Sequence, residues 1–155
     1  LGLSEEEIDI LFASALLHDI GKIAIPDEII NKVLPLTAEE YEIVKTHPIV
    51  GAEILSNISE MPGIETGARW HHERYDGTGY PDGLKGTEIP ENARIIGVAD
   101  AYDAMTSNRS YRRIMDPKVV RREMEKGLGT QFDPVIGNIF IQMMDEDKDH
   151  RMIGV

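Results

Sequence analysis

His18 and Asp19 stand side by side, His47 follows, then come the adjacent His71 and His72, and finally Asp100. Four of the five histidines therefore fall within residues 18–72, each in or beside a stretch that reads as helix. Neutral imidazole nitrogens together with carboxylate oxygens suit zinc, iron or manganese. One carboxylate shared by two such ions makes a hydrolytic centre, in which activated water attacks phosphorus. A single histidine near an apolar face is more often a satisfied core or surface residue. Here the weight comes from the histidine pair and from Asp100, which follows the apolar run Ile95-Ile96-Gly97-Val98-Ala99, where a carboxylate without a partner is costly. Lys22, one short turn beyond Asp19, would place an ammonium where charge develops on a phosphate oxygen. Glu73 and Asp76 have two readings, as acceptors for imidazole N–H groups or as surface acids. His150, in the charged tail, reads as a bystander.

Helices must carry these groups. Ser4 and Glu7 form a capping box that starts a helix near Glu5, and Ile8, Leu11, Phe12 and Ala15 repeat along it as an inward stripe that Asp19 continues. Gly21 and Pro26 close that segment. Thr37 and Glu40 form a second box, for a helix to about Lys45. Pro48 predicts a break at His47 and opens the next helix, which carries Val50, Ile54 and Leu55. Residues 63–74 read as a third main helix bearing Trp70, expected in the core, and the histidine pair. Between Tyr75 and Pro90 the helical period disappears into a glycine-rich loop, whose Gly77-Thr78-Gly79 is too weak a signal for a phosphate cradle. Helix returns from Ala93 to about Ser107, and Asp116-Pro117 and Asp133-Pro134 start two more, the last with Ile136, Phe140 and Met143. No alternating strand pattern and no internal repeat is present, so an all-α bundle around a polar metal pocket is expected.

Composition narrows the partners. With 155 residues and 41% hydrophobic content, one domain core is the natural expectation. The absence of cysteine leaves only nitrogen and oxygen to hold a metal. No apolar run approaches the length of a membrane span and no secretory signal is visible, which points to a cytoplasmic protein. A formal net charge of −12 argues against polymeric nucleic acid as a partner. Yet residues 109–122 gather Arg109, Arg112, Arg113, Lys118, Arg121 and Arg122 against one acid, Asp116, a local basic patch suited to a small anion or to a solvated helix face. The chain opens at Leu1, already leading into a helix, so a piece of a longer protein is expected.

The motifs resemble the HD-GYP domains, a branch of the HD superfamily of metal-dependent phosphohydrolases. The matching text is Leu17-His18-Asp19-Ile20-Gly21-Lys22-Ile23, Lys45-Thr46-His47-Pro48, and His71-His72-Glu73-Arg74-Tyr75-Asp76-Gly77-Thr78-Gly79-Tyr80-Pro81. It continues in Val98-Ala99-Asp100-Ala101-Tyr102-Asp103 and in Arg109, Tyr111 and Arg112. The resemblance implies a cyclic di-GMP phosphodiesterase of bacterial signalling that makes pGpG, and GMP on a second round, by metal-bound hydroxide. It implies a two- or three-metal centre of iron or manganese, with His18, Asp19 and Asp100 on one ion and Asp19 (bridging), His47, His71 and His72 on the second. Lys22 would contact the scissile phosphate, while Arg109 and Arg112 would grip phosphate or guanine, Arg112 replacing the lysine more usual there. The Gly79-Tyr80-Pro81 loop would serve as lid or docking element, for a diguanylate cyclase domain among others, and a receiver or sensor domain, as in a two-component response regulator, would precede the chain. Residues 1–145 would be the hydrolase domain without its first helix, which carries a further His or Glu ligand, and 146–155 a polar tail. A fragment lacking that ligand would bind metal weakly or turn over slowly. The alternatives are a non-catalytic module that binds cyclic dinucleotide or a partner, and a hydrolase of another nucleotide.

Overall fold

Both capping boxes form. In the computed structural model, which describes residues 1–107, 115–147 and 152, the Ser4 hydroxyl accepts from the Glu7 N–H and the Glu7 carboxylate accepts from the Ser4 N–H. Helix α1 then runs Glu5–Leu17. The reciprocal bonds of Thr37 and Glu40 start α3 (Ala38–Val44), after the short α2 (Asp27–Ile30). Helix α4 is His47–Leu55, α5 Glu65–Trp70 and α6 Glu91–Thr106. Asp116 and Asp133 each accept backbone N–H bonds ahead of a proline, opening α7 (Pro117–Gly127) and α8 (Pro134–Glu146). Among the described residues there is no strand beyond one isolated bridge, Leu128 with Phe132, so the all-α expectation holds. None of the described helices is long and apolar enough to cross a membrane.

Two apolar clusters hold the helices together. Leu55, Ile64 and Ala68 pack with Ala13, Leu17 and Ile20, joining α1, α4 and α5. Val98, Tyr102, Val120, Met124, Phe132, Ile136 and Ile141 form the second, among α6, α7 and α8. Helix α6 touches α1 and α5 as well as α7 and α8, and so ties the two clusters together. Each fully buried aliphatic side chain in them contributes about 1.5–3 kcal/mol.

Four expectations need correction. Half of the stripe on α1 is turned outward: Ile8 and Phe12 are 51% and 66% exposed while Leu11 and Ala15 are half-buried, and the helix buries Ser14, whose hydroxyl donates to the Ile64 carbonyl at 2.6 Å. Helix α1 is apolar on more than one side, so its period could not say which side meets the core. The break before α4 lies at Lys45 and Thr46, and His47 is the first helical residue; at that position no preceding turn exists for Pro48 to clash with. The third helix stops at Trp70, with His71 as its cap. Trp70 is half-buried and donates its indole N–H to Asp82 at 2.7 Å, so it fastens the loop rather than filling the core.

Candidate metal centre

Two consecutive structures deliver the first pair of groups. His18 caps α1, and Asp19 leads a 3-10 turn, Ile20–Ala24. That turn is pressed onto α4 because Gly21 has no side chain: a Cβ there would lie 2.0 Å from the His47 carbonyl oxygen and 2.5 Å from the Gly51 nitrogen. The contact brings Asp19 to His47. His71 and His72 leave the end of α5 and turn toward the same point, and Asp100 projects from the middle of α6.

Backbone carbonyls set the histidine tautomers. His18 Nδ1 lies 2.7 Å from the Ala15 oxygen, His47 Nδ1 2.7 Å from the Val44 oxygen, and His71 Nδ1 2.9 Å from the Ala68 oxygen. A carbonyl can only accept, so each Nδ1 carries a hydrogen, and in the neutral ring, the form that binds metal, Nε2 presents a lone pair. The Nε2 atoms of His47 and His71 then face each other at 3.4 Å with no proton between them. The buried Oδ1 of Asp19 has no hydrogen-bond donor among the described residues; it sits 3.3 Å from His47 Nε2 and 3.8 Å from His71 Nε2, both lone-pair atoms. Electron pairs gathered in this way are stabilised by a cation. One ligand atom each from Asp19, His47, His71 and His72 lies within 4.8 Å of the others. His18 Nε2 reaches Asp19 Oδ2 at 3.5 Å and Asp100 Oδ1 at 3.9 Å. All six residues expected at the centre are therefore brought together, and their nitrogen and oxygen donors fit a divalent metal.

The electrostatics favour the ligand protonation states. Burial alone would raise the Asp19 carboxyl, but the Lys22 ammonium bonded to it holds it below the usual carboxylate range. Burial, reinforced by neighbouring imidazoles, pushes His71 down to about 4 and depresses His72 further. Neutral imidazoles and an ionised carboxylate are the forms that bind metal.

A cleft of about 400 Å³ opens beside the centre, lined by His71, His72 and Asp100 and by the glycine-rich loop. The loop is ordered by Glu73, whose buried carboxylate accepts N–H bonds from Asp82 (2.7 Å), Gly83 (3.0 Å) and Leu84 (3.1 Å). Neither reading of Glu73 from sequence anticipated this, and Asp76 in turn accepts from Thr78. Gly79 packs where a Cβ would lie 2.3 Å from the Arg74 nitrogen, so the loop folds back on the histidine turn. There the Tyr80 ring leans on His72 with centroids 4.9 Å apart. Tyr41 of α3 also lines the cleft, edge-on to Tyr80. Sequence reasoning passed over it, although it stands four residues before Lys45, whose ammonium lies over its ring. Arg109 and Arg112 lie outside the described residues.

A family model described as an HD domain matches residues 1–136. The chain belongs to the HD domain family. This HD domain is 47% identical over 137 residues to the cyclic di-GMP phosphodiesterase response regulator RpfG of Xanthomonas campestris, covering 86% of the chain and 36% of that protein. It is 43% identical over 152 residues to a cyclic di-GMP phosphodiesterase of Thermotoga maritima, covering 96% of the chain and 41% of the relative. A 3'3'-cGAMP-specific phosphodiesterase 2 of Vibrio cholerae is 37% identical over 147 residues, covering 94% of the chain and 28% of the relative. Among solved structures, a cyclic GMP-AMP phosphodiesterase of Vibrio cholerae superposes with a TM-score of 0.68 at 21% identity, over 96% of the chain and 40% of that structure, a likeness of fold. The HD domain thus spans well under half the length of these relatives. The family match and these relatives bear out the resemblance to the HD-GYP branch read from the sequence.

Proposed function

We propose that the chain is the hydrolase domain of a metal-dependent phosphodiesterase that opens cyclic di-GMP to linear pGpG, and yields GMP on a second round. One observation carries the reading: the buried Asp19 Oδ1 without a donor, surrounded by imidazole lone pairs, needs a cation. Two or three divalent ions, iron or manganese, would be held by His18, Asp19 and Asp100 and by Asp19, His47, His71 and His72, with Asp19 shared. When bound, such ions supply acidified water and neutralise charge on phosphorus.

The chain's own groups do the rest. Nδ1 bonds to Ala15, Val44 and Ala68 keep three imidazoles oriented with Nε2 toward the centre. Lys22, paired with Asp19, sets an ammonium beside the centre, where it would neutralise a non-bridging phosphate oxygen. Arg109 and Arg112 are proposed to grip phosphate or guanine. Residues 1–145 constitute this domain, a receiver domain of the kind the name of the Xanthomonas relative evokes precedes it in the whole protein, and the Gly79-Tyr80-Pro81 loop docks a signalling partner such as a diguanylate cyclase domain. The setting is cytoplasmic.

The test is to load the protein with manganese or iron, incubate it with cyclic di-GMP, and separate products by anion-exchange chromatography. Linear pGpG is the expected product; tight binding with no product would make the chain a non-catalytic module. The similarity to a 3'3'-cGAMP-specific relative favours one second reading, so 3'3'-cGAMP is run beside it. Faster turnover of the mixed dinucleotide would reassign the substrate within the same chemistry.

A further inference from the structure

The cleft beside the metal centre has room for more than one phosphate, and its charged lining is almost entirely committed. Besides the candidate ligands, the charged residues that line it are Glu73, Arg74, Arg94 and Asp133. Glu73 is filled by three loop N–H groups. Arg94 pairs with Asp133 through Nη1 and donates from Nε to the Ile89 carbonyl at 2.9 Å. Asp133 also accepts the N–H groups of Val135 and Ile136 that start α8.

Arg74 differs. Its Nε donates to the Thr78 hydroxyl at 3.0 Å, and its Nη2 lies 3.5 Å from Asp76 Oδ2. Thr78 in turn donates to Asp76 Oδ1 at 2.6 Å, which leaves its hydroxyl lone pairs for Arg74. The guanidinium is thus braced along one edge by two loop residues that have no other assignment. Its Nη1 has no partner among the described residues. The backbone beneath it is fixed as well, since the Arg74 carbonyl accepts from Gly77 at 2.8 Å. A guanidinium held in this way offers its remaining donors to an oxyanion without a large entropic cost.

We propose that Arg74 holds the second, uncut phosphodiester of a cyclic dinucleotide and so selects that ligand class over smaller phosphodiesters. The proposal deepens the phosphodiesterase reading and rests on it. A cyclic dinucleotide carries two phosphodiester anions in one ring. With one at the Asp19 centre, the other remains in the same cleft, among Glu73, Asp100 and Asp133, and needs a cation. Arg94 also keeps an Nη2 without a partner among the described residues, but its charge is met by the buried Asp133, whereas Arg74 faces Asp76 only at 3.5 Å; Arg74 is therefore the more available lining cation, and it stands two residues beyond His72.

The test compares manganese-loaded wild type with Arg74→Ala and Arg74→Lys on two substrates, cyclic di-GMP and bis(p-nitrophenyl) phosphate, which has a single phosphodiester. The ratio of kcat/KM for cyclic di-GMP over the small substrate falls about ten- to a hundred-fold in Arg74→Ala, as expected for a lost charged hydrogen bond. The loss appears mainly in KM, because the uncut phosphate is held alike in ground and transition states, and Arg74→Lys falls between. An unchanged ratio overturns the assignment: equal losses on both substrates would mean that Arg74 only supports the loop, and no loss would mean no contact. If wild type binds cyclic di-GMP without cutting it, the phosphodiesterase reading fails, and the same variants compared by dissociation constant still decide the role of Arg74.

Discussion

Replacing Gly21 by alanine adds one methyl group at the junction that sets Asp19 against His47. That methyl would meet the His47 carbonyl oxygen at 2.0 Å, the Gly51 nitrogen at 2.5 Å and the His47 carbonyl carbon at 2.9 Å. All three are backbone atoms of α4, so no side chain can rotate away. The 3-10 turn and α4 must part by well over an ångström, or one of them must unwind. Overpacking of a core typically costs about 1–3 kcal/mol, and rigid backbone on both sides places this case at the upper end. At about 3 kcal/mol a chain of this length loses roughly 6–12 °C in Tm. The same displacement separates Asp19 from the His47 and His71 nitrogens, and a misplacement of about 1 Å at a reacting centre costs on the order of a hundredfold in rate. Calorimetry of the metal-free protein reads the first effect, and elemental analysis with turnover of cyclic di-GMP reads the second. A variant that melts within 2 °C of wild type (an arbitrary limit of roughly half a kcal/mol) and keeps its full metal content would refute the idea that this contact positions the centre.

Three further outcomes are expected. Asp19→Ala removes the carboxylate proposed to be shared between two ions, so metal content is expected to drop and turnover to fall by at least about a thousandfold; undiminished turnover would remove the proposed bridging role. In the metal-free protein His71 stays neutral in the fold down to about pH 4, while in the unfolded chain it takes up a proton from about pH 6.5. The unfolded state therefore binds more protons between those values, and stability falls as pH drops through that window, by on the order of 3 kcal/mol from this group; urea unfolding at several pH values that showed a flat profile would contradict it. Glu73→Gln replaces one carboxylate oxygen by a donor facing a backbone N–H. Hydrogen exchange at Asp82, Gly83 and Leu84 should then accelerate roughly tenfold or more, as for loss of a charged hydrogen bond, whereas unchanged protection would show that the loop is held by other contacts.

Local chemistry was the legible part. Ser4 with Glu7, Thr37 with Glu40, and the Asp-Pro pairs at 116 and 133 announce helix starts because the atoms that satisfy the first N–H groups lie within three residues. The ligand types were also legible, since an imidazole or a carboxylate in an otherwise apolar segment is costly without a partner. Orientation was harder to read. Ile8 and Phe12 were expected inside and lie outside, and the small Ser14 faces the core because it bonds the Ile64 carbonyl, fifty residues away. Glu73 could not be placed, because its partners are backbone N–H groups, which every residue but proline carries.

The sequence by itself determined the helices, the absence of thiolate, and the set of nitrogen and oxygen donors from which a metal centre can be made. Only the tertiary structure decided that Asp19 and His47 meet, through the close approach at Gly21, and that the Nε2 atoms of His47 and His71 turn toward one buried oxygen of Asp19. Helix signals depend on neighbours a turn apart. A metal centre depends on distances between segments tens of residues apart, and those distances are set by how whole helices pack.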